Sequence, residues 1–570
     1  MFKITEFNNN DDVISYITYD DTSVDIASKF NDEIGTNENE SCCVALDIAC
    51  KKEDMTIITK LVKYIKRMNF HIKLYNIDSI FKLACKIGAV YLVNNLIEYM
   101  RTKGFVTNIH LNNEIYFRTA CKYNRTELVK YLIKYNDKIN SLINIHACNE
   151  ESFIYACENN NLELMNTIIE YGDRIHSGVN IHIKDEYAFT TACTNNNIGM
   201  IDYLITYGIL NNSKVNVNIK DEYSFYIACK NNNTNLVKYL INYCDTNKIR
   251  IDINKCDSRA FIEVCKNNNI ELATIIIKYC KDTQQNLNIH VSDELAFRLS
   301  CRHNDIRMAK YLIEYSESEN TKINIHILHE NAFITACKYN NIELVKYLIE
   351  YCEKHGHKIN IHEFYEGGFV WACVNNNMEL VEYLINYGET NGDRININIK
   401  RDYCFLIACE KNNMKMVKYL IEYSDKIGKR ININTCDEYA FRCACKNNNL
   451  KLVKYLIRYS KKFNNIININ ILDDYAFRYA CDNTNNMELV KFLIDFGKHH
   501  SSNIDVHAIH DNAFRNACKN NNLELVYYLI ELSKKNNTKI NIHVDSNYPF
   551  IIACKNKNME LLNCLIEYDT

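Results

Sequence analysis

Proline, tryptophan and glycine are scarce in this chain. Its 570 residues include one proline, one tryptophan and 14 glycines. So few prolines and glycines exclude a flexible linker and a proline-rich recognition segment. No apolar run approaches the ~20 residues that a membrane-spanning helix needs. The start, MFKITEFNNNDD, lacks the apolar core of a signal peptide. We therefore expect a continuously folded chain with no membrane segment.

An excess of charge of either sign is also missing. The chain has 67 Lys and Arg against 70 Asp and Glu, for a formal net charge of -3. A strongly basic balance would favour binding to nucleic acids through their phosphates. We therefore expect no nucleic-acid partner.

What the chain does have is a repeat of about 36 residues. Its marker is a cysteine, usually preceded by alanine, that occurs in 15 copies; of the 14 intervals, twelve are 36 residues, one is 35 and one is 37. Phenylalanine lies four residues before this marker cysteine in 14 of the 15 copies. So regular a period identifies a repeat array, which grows by stacking units and needs no larger central core. The marker cysteines are Cys50, Cys85, Cys121, Cys157, Cys193, Cys229, Cys265, Cys301, Cys337, Cys373, Cys409, Cys445, Cys481, Cys518 and Cys554.

Each unit begins with a short segment of helical periodicity. In the copy at Asp437–Lys446, the residues Phe441, Ala444 and Cys445 follow the i, i+3, i+4 spacing that places them on one helix face. Asp437 comes just before them and is of a residue type that caps helix N-termini. The two small residues let a neighbouring helix approach closely. The pattern therefore predicts a first helix that packs against the next unit.

A turn and a second helix follow. Asn448, in the middle of Asn447–Asn449, is of a type that tolerates the left-handed backbone, and asparagine also caps the next helix. The second helix is predicted from Leu450 to about Tyr459, with a buried stripe of Leu450, Val453, Leu456 and Ile457. Between units, a segment such as Lys322–Ile327 alternates apolar and polar residues like a short strand.

Helix, asparagine turn, helix and extended connector in this order resemble the ankyrin repeat. In Tyr439–Ile457, Phe441 stands at the family's leucine, Ala444-Cys445 at its Ala-Ala pair and Asn448 at its turn glycine. The resemblance implies an all-α repeat solenoid over residues 41–570, with about 15 repeats and short extended or β-hairpin-like connectors. Each unit is longer than the usual ankyrin repeat, and the extra residues fall in segments such as Ser424–Arg430. Residues 1–40 are an N-terminal cap or a docking segment. The Asn/Ile/Lys/Tyr-rich units also resemble ankyrin proteins of amoeba-infecting giant DNA viruses.

Two residue types invite a metal or redox hypothesis. Units stack ~8–10 Å apart, whereas a disulfide needs Cα atoms within roughly 7 Å, so marker cysteines of neighbouring units do not bridge. That spacing also exceeds what two Zn–N bonds of ~2.0–2.1 Å can span. We expect no metal site, hydrogen bonding by the connector histidines, and reduced thiols in a cytoplasmic compartment. These histidines are His146, His182, His290, His326, His362, His507 and His543.

Catalytic motifs are also missing. We find no P-loop, no G-x-S-x-G and no H-E-x-x-H. An active site needs dissimilar residues that converge at one place, and a repeated residue does not supply this. We expect no enzyme activity and no cofactor.

Surface residues that differ from copy to copy are the candidates for partner binding. The positions three and two residues before the marker cysteine vary freely and often hold Trp, Tyr or Arg, which dominate protein interfaces. Trp371 lies beside Gly367-Gly368 and serves either a partner or packing between repeats. Arginines in this set either contact a partner or pair with Asp437, Asp473 and Asp511. The candidates are Tyr155, Tyr226, Arg298, Trp371, Arg442, Arg478, Tyr479 and Arg515.

The expected function follows from the repeat. Such arrays recognise partner proteins on a concave face, so we expect a monomeric, non-catalytic scaffold for protein–protein interaction. The alternative is a substrate-recruiting adaptor of a ubiquitin ligase, because the ankyrin proteins of large viruses often join the array to an F-box-like or BTB module. That alternative depends on residues 1–40, which are too few for a BTB domain. If the chain is viral, its compartment is the host cytoplasm.

Overall fold

The computed structural model describes residues 42–569 except 44, 47, 48, 51, 69–71, 73, 105–108, 484–486 and 501. The predicted cap or docking segment, residues 1–40, lies outside this part. The chain divides into two compact units, Met1–Asn288 and Ile289–Thr570. Bounded helices begin at Met55, and residues 42, 43, 45, 46, 49 and 50 are also helical.

The first unit contains 13 bounded helices in its described part. They are α1 Met55–Arg67, α2 Leu74–Ile87, α3 Val90–Thr102, α4 Leu111–Lys122, α5 Thr126–Lys138, α6 Ala147–Glu158, α7 Leu162–Arg174, α8 Ile183–Thr194, α9 Ile198–Leu210, α10 Ile219–Lys230, α11 Thr234–Asn247, α12 Lys255–Lys266 and α13 Ile270–Asp282.

The second unit contains 16 bounded helices in its described part. They are α14 Val291–Ser300, α15 Arg307–Ser318, α16 Ile327–Lys338, α17 Ile342–Lys354, α18 Glu363–Val374, α19 Met378–Thr390, α20 Ile399–Glu410, α21 Met414–Lys426, α22 Thr435–Lys446, α23 Leu450–Lys462, α24 Ile471–Ala480, α25 Met487–His499, α26 Ala508–Lys519, α27 Leu523–Lys535, α28 Val544–Lys555 and α29 Met559–Asp569.

From α2 onward, even-numbered helices are the first helices of the repeats and odd-numbered helices are the second. Within each unit, a first helix packs against the next first helix and against the second helix of its own repeat. On α22, Phe441, Ala444 and Cys445 are at most 1% exposed. The predicted all-helical repeat, with these three residues on one buried face, is confirmed.

The asparagine turn also forms as predicted. Asn448 has φ 51°, in the left-handed region, and the side chain of Asn449 accepts a hydrogen bond of 2.9 Å from the N–H of Leu452. Side chains of this turn also form hydrogen bonds to the preceding repeat, which was not predicted. Asn447 donates to the carbonyl oxygen of Glu410 at 3.1 Å, and Asn449 donates to Asn412 at 2.6 Å. Asparagine therefore serves in this turn both as a cap and as a link between repeats.

Second helices are longer than predicted. Helix α23 continues to Lys462, three residues past Tyr459. Val453, Leu456 and Ile457 are buried as expected, whereas Leu450 is only half-buried and Leu452 is buried in its place. In α21 the helix continues through Lys426, so it absorbs the first residues of the extra segment Ser424–Arg430.

The β-hairpin-like form of the connectors is not confirmed, because the described residues contain no strand. The apolar alternation is real, since Ile323 and Ile325 are buried. The backbone N–H groups, however, bond to side chains instead of to a neighbouring strand. The N–H of Asn324 donates to the Glu294 carboxylate at 3.1 Å, and the N–H of His326 donates to the Asn324 side chain at 3.1 Å.

A buried carboxyl group recurs seven residues before the marker cysteine, and we call this position the acid slot. In eleven repeats it accepts a hydrogen bond from the backbone N–H of a connector residue 30 or 31 positions later, at 2.9–3.3 Å. Burying a carboxylate is costly unless it is hydrogen-bonded, and these bonds meet part of that need: in five of the residues, Glu438 among them, the other carboxylate oxygen is buried without a partner. The acid-slot residues are Glu114, Glu150, Glu186, Glu222, Glu294, Glu330, Glu366, Asp402, Glu438, Asp474 and Asp511.

Connector histidines bond to the acid slot, as expected of a hydrogen-bonding role. A ring nitrogen of His326 lies 2.8 Å from the Glu330 carboxylate. His146 contacts Glu150 at 2.6 Å and reaches Ser177 of the next repeat at 2.7 Å through its other nitrogen. Where asparagine replaces histidine, as at Asn434, its amide donates to the acid slot at 2.9 Å. The residue four positions before the acid slot therefore supports the buried carboxyl group.

The acid slot also ends a left-handed turn. Asp437 has φ 55° and Glu438 has φ 57°, so the expected capping role of Asp437 is wrong: it lies inside this turn, ahead of the right-handed helix. A residue other than glycine in this conformation costs ~1–2 kcal/mol. The turn therefore depends on bonds from its surroundings, and the buried Glu438 carboxylate supplies some of them.

Glu222 is an acid-slot residue whose carboxyl group receives fewer hydrogen bonds, so it tests how much those bonds contribute. Its neighbour Asn218 donates to the carbonyl oxygen of Arg250 at 2.8 Å instead of to the carboxylate, and the remaining bond, from the N–H of Asp252, is 3.3 Å long. Burial raises the pKa of Glu222 from 4.5 to about 7; the hydrogen bond from the Asp252 N–H and the charge of Lys255 oppose the rise, and the charges of Asp252 and Asp221 add to it.

Because this pKa is higher in the fold than in the unfolded chain, its stabilising effect is complete below about pH 4.5 and is lost as pH rises through 7. We expect α10–α12 to lose protection from hydrogen exchange between pH 5 and pH 8, after correction for intrinsic rates. Asn218→His should lower this pKa and reduce the loss, and Glu222→Gln should abolish it. Equal pH dependence in all three proteins would contradict this assignment.

Candidate functional site

The first helices expose the positions around the marker cysteine that vary between repeats. The predicted contact residues lie there but do not form one site. Tyr155 lines a groove in the first unit, and Arg298 and Trp371 line another in the second. Arg442, Arg478 and Tyr479 belong to a stack of arginine and tyrosine side chains, Arg515 follows on α26, and Tyr226 is covered.

The first-unit groove has a volume of about 650 Å³ and is lined by α2, α4 and α6. The hydroxyl of Tyr155 donates to Glu151 at 2.7 Å, and Lys122 lies 5.7 Å from the centre of its ring. Burial and the bond to Glu151 raise the pKa of Tyr155 to about 12. Glu151 also pairs with Arg118. Carboxylates therefore neutralise cations of this groove.

Tyr226 is only 8% exposed. The guanidinium of Arg259, from the next first helix, lies 4.2 Å from the centre of its ring. Arg259 is itself exposed. A partner at this place meets Arg259 first, and Tyr226 supports the arginine from below.

The second-unit groove has a volume of about 730 Å³ and lies on α14, α16, α18 and α20. Trp371 is half-buried, and Lys338 lies 5.1 Å from the centre of its ring. Trp371 thus contacts Lys338 of the preceding repeat and also lines the groove, and its contact with a partner stays a prediction. The lining residues are Arg298, Arg302, Asn331, Ile334, Thr335, Lys338, Tyr339, Phe364, Gly367, Val370, Trp371, Val374, Lys400 and Tyr403.

Arginines three residues before the marker cysteine share one arrangement. Arg442 donates through Nε to the carbonyl oxygen of Asp437 at 2.7 Å and through Nη2 to that of Cys436 at 3.1 Å. Arg298, Arg478 and Arg515 bind the carbonyl groups five and six residues earlier in the same way. The left-handed turn presents two carbonyl groups to one planar guanidinium.

The expected pairing of these arginines with Asp437, Asp473 and Asp511 is therefore corrected. Asp437 and Asp473 offer their main-chain oxygens to arginine. Asp511 is an acid-slot residue bonded to His507 at 2.6 Å, and Arg515 pairs with Asp545 instead. Arg478 is 8% exposed, so little of it remains for a partner.

Tyrosine rings cover the arginines on α22 and α24. The rings of Tyr475 and Tyr479 stack with their centres 4.1 Å apart and a 20° angle between their planes. Arg442 lies 4.9 Å from the centre of the Tyr475 ring and 5.4 Å from that of Tyr439. Arg442 and Tyr479 are half-buried, so both keep an accessible edge.

The buried marker cysteines are not activated for nucleophilic chemistry. Burial raises the pKa of the Cys121 thiol to about 12, and it raises the pKa of Cys445 further. Such a thiol is protonated at neutral pH and is a poor nucleophile. In the part of the chain that the structure describes, no group of three or more His, Cys, Asp and Glu could hold a metal ion. None of the described helices is both long and apolar enough to cross a membrane.

Several groove residues were missed in the sequence. Lys338 and Tyr339 follow the marker cysteine by one and two positions, whereas Phe364 and Lys400 precede theirs by nine. All four line the second-unit groove. These positions also vary between repeats, so the same search for variable positions, extended beyond the two chosen, would have found them.

Arg442→Ala tests the structural role of the arginine. It leaves two carbonyl groups without their charged donor, so we expect the free energy of unfolding of this repeat to fall by about 1–3 kcal/mol. Arg442→Lys should not restore it, because an ammonium lacks the planar pair of donors. Hydrogen exchange over Thr435–Lys446 measures the effect, with Arg458→Ala on the exposed side of α23 as the control. If both Arg442 variants exchange like the unmodified protein, the arginine does not hold the turn.

Comparison with known proteins identifies one family. The model of ankyrin repeats (three copies) matches residues 153–252, 261–363, 299–397, 369–471 and 405–506, which together make up more than half of the chain. No curated protein matches.

Among solved structures, the maize pentatricopeptide repeat protein PPR10 aligns with a TM-score of 0.34 and 8% identity, over 98% of this chain and 80% of that one. PPR10 in complex with an 18-nt psaJ RNA element gives 0.32 and 7%, over 97% and 88%. TM-scores and sequence identities this low do not bear on the function of this chain.

Proposed function

This chain belongs to the ankyrin-repeat family, and from that premise we propose that it is a non-catalytic scaffold that binds partner proteins on the exposed face of its first helices. Ankyrin repeats generally mediate protein–protein interaction. The face in question is the concave one expected of an ankyrin array. Its partner contacts are the variable side chains of the first helices.

The observation that carries this proposal is the contrast between constant and variable positions of one helix. Phe333, Phe369 and Phe405 are buried alike on α16, α18 and α20. Two residues before the marker cysteine, however, the same helices hold threonine, tryptophan and isoleucine. The same backbone thus presents a different side chain in each repeat. Binding on a preformed helix face needs little ordering, so its entropy cost is low.

The proposal also covers the cellular compartment, the resemblance to viral proteins and the alternative function. We place the protein in a reducing cytoplasm because buried, protonated thiols recur in nearly every repeat. The likeness to giant-virus ankyrin proteins rests on repeat length and composition. The adaptor alternative depends on residues 1–40.

Affinity purification with the intact chain and with a Trp371→Ala/Tyr479→Ala variant tests the contact face. We expect the recovery of specific partner proteins to fall at least tenfold in the variant, because both aromatic residues keep accessible edges on first helices. The matched control is Tyr527→Ala, an exposed aromatic residue of second helix α27. Both variants are checked for an unchanged thermal unfolding midpoint.

Two outcomes would change the proposal. Partners that survive the first variant and are lost in the control would move the contact surface to the second helices. A ubiquitin-ligase subunit that is recovered with the intact chain and lost when residues 1–40 are deleted would favour the adaptor alternative.

A further inference from the structure

The second-unit groove carries positive charge that nothing in the described chain neutralises. Its lining contains Arg298, Arg302, Lys338 and Lys400 but no Asp or Glu. Among the described residues, none of these four cations has a carboxylate oxygen within 4.0 Å; Arg298 binds two backbone carbonyl groups and leaves Nη1 for another acceptor. Two carboxylates on the same helix as Trp371 are bound to other residues. Glu366 is buried against His362 at 2.8 Å, and Glu363 accepts from Asn360 at 3.0 Å.

The two grooves differ at one matched position. Lys122 and Lys338 both follow a marker cysteine, and each lies over the aromatic residue two positions before the next one, Tyr155 or Trp371. Six residues before Cys157, the first unit has Glu151, which binds the groove residues Tyr155 and Arg118. The second-unit groove has Gly367 six residues before Cys373, which supplies no negative charge, and Phe364 packs close to it. Of these two matched residues, only Glu151 supplies a carboxylate, and Glu53 supplies another to the first-unit groove through its pair with Lys86.

Aromatic side chains form the rest of the second-unit groove. Phe364 is 57% exposed and Tyr339 is 46% exposed, and both stand beside the half-buried Trp371. Aromatic residues with accessible faces next to arginine are typical of interface hot spots. At about 730 Å³, the groove lies within the ~300–1,000 Å³ range of ligand sites and holds a few residues of a peptide.

The positive charge is interrupted beyond this groove and returns only at Lys446, which favours a peptide over a nucleic-acid strand. Directly after the marker cysteine, successive repeats of the second unit hold Arg302, Lys338, Val374 and Glu410. A nucleic-acid strand follows a continuous basic track with a cation for each phosphate. Here the track turns neutral after two repeats and acidic after three.

We propose that the second-unit groove binds an acidic segment of a partner protein, with one aromatic or branched apolar side chain against Trp371 and flanking carboxylates on the surrounding cations. The proposal rests on the scaffold function proposed above and assigns a partner chemistry to one part of its contact face. Charge attraction sets the orientation and the association rate, and the apolar side chain contributes the buried contact.

Trp371 is the only tryptophan of the chain, so its fluorescence reports on this groove directly. The probe is a decapeptide with a Phe-Leu pair between two runs of four glutamates. We expect a saturable change in emission, and a dissociation constant that rises about tenfold between 50 and 300 mM NaCl because salt screens the charges. The same peptide with lysine in place of glutamate should not bind.

Variants locate the site. Lys338→Glu should weaken peptide binding roughly 10- to 100-fold. Gly367→Glu should do the same, because it supplies the carboxylate that Glu151 supplies in the first-unit groove. Gly367→Ala adds the Cβ without the charge, and Lys451→Glu makes the same charge change on exposed second helix α23; both should stay within about twofold of the unmodified protein. A labelled peptide, read by fluorescence anisotropy, extends the test to Trp371→Ala. Thermal unfolding confirms that each variant is folded.

Several results would overturn the proposal: no saturable change, peptide binding by Lys338→Glu and Gly367→Glu that is as tight as that of the unmodified protein, binding of the lysine peptide as tight as that of the acidic peptide, or tighter binding of a ten-nucleotide oligouridylate than of the acidic peptide. Affinity purification separates this failure from failure of the scaffold function. If partner proteins are still lost with Trp371→Ala/Tyr479→Ala, the scaffold stands and only the acidic chemistry is wrong. If the intact chain recovers no specific protein, both fail.

Discussion

The bond between a buried carboxyl group and the connector of the next repeat is the interaction on which the other features depend. It recurs at eleven acid-slot residues, each buried and each accepting from a backbone N–H about 30 residues later. It satisfies connector groups that no strand satisfies, and it anchors the end of a left-handed turn that would otherwise cost energy. The arginine that closes this turn, as at Arg442, is thereby fixed on the first helix. A groove lined by first helices keeps its shape because each of those helices starts from this anchored turn.

The helices and their packing were predictable because they depend on local periodicity. Phe441, Ala444 and Cys445 are buried as their spacing indicates, and Asn448 is left-handed because asparagine tolerates that conformation. The connectors were not predictable from alternation alone, since their partners are carboxylates about 30 residues away. For the same reason Asp437 and Glu438 were not distinguished: adjacent acids look alike in a sequence, and only the backbone direction decides which one is buried.

The candidate site was likewise predictable only in part, since its local pattern was visible and its contacts between repeats were not. The search for positions that vary between repeats found Trp371 and Arg298, which share a groove. It missed Lys338 and Lys400, which line the same groove. It also grouped residues of different kinds: Arg442 closes a turn and Tyr226 supports Arg259, whereas Trp371 faces open space. The feature that sets the second-unit groove apart is the loss of a side chain at Gly367. This difference is evident only from the comparison with Glu151, whose carboxylate pairs with Arg118 of the first-unit groove.

Residue-resolved hydrogen exchange on the unmodified protein tests the central claim most directly. The backbone N–H groups of Asn324 and Asn360 bond to the buried carboxylates of Glu294 and Glu330, although both residues are themselves exposed. They should exchange at least about tenfold more slowly than those of Lys322 and Lys358, the exposed residues two positions earlier in the same connectors. Equal rates at all four positions would show that the buried carboxyl groups do not hold the connectors.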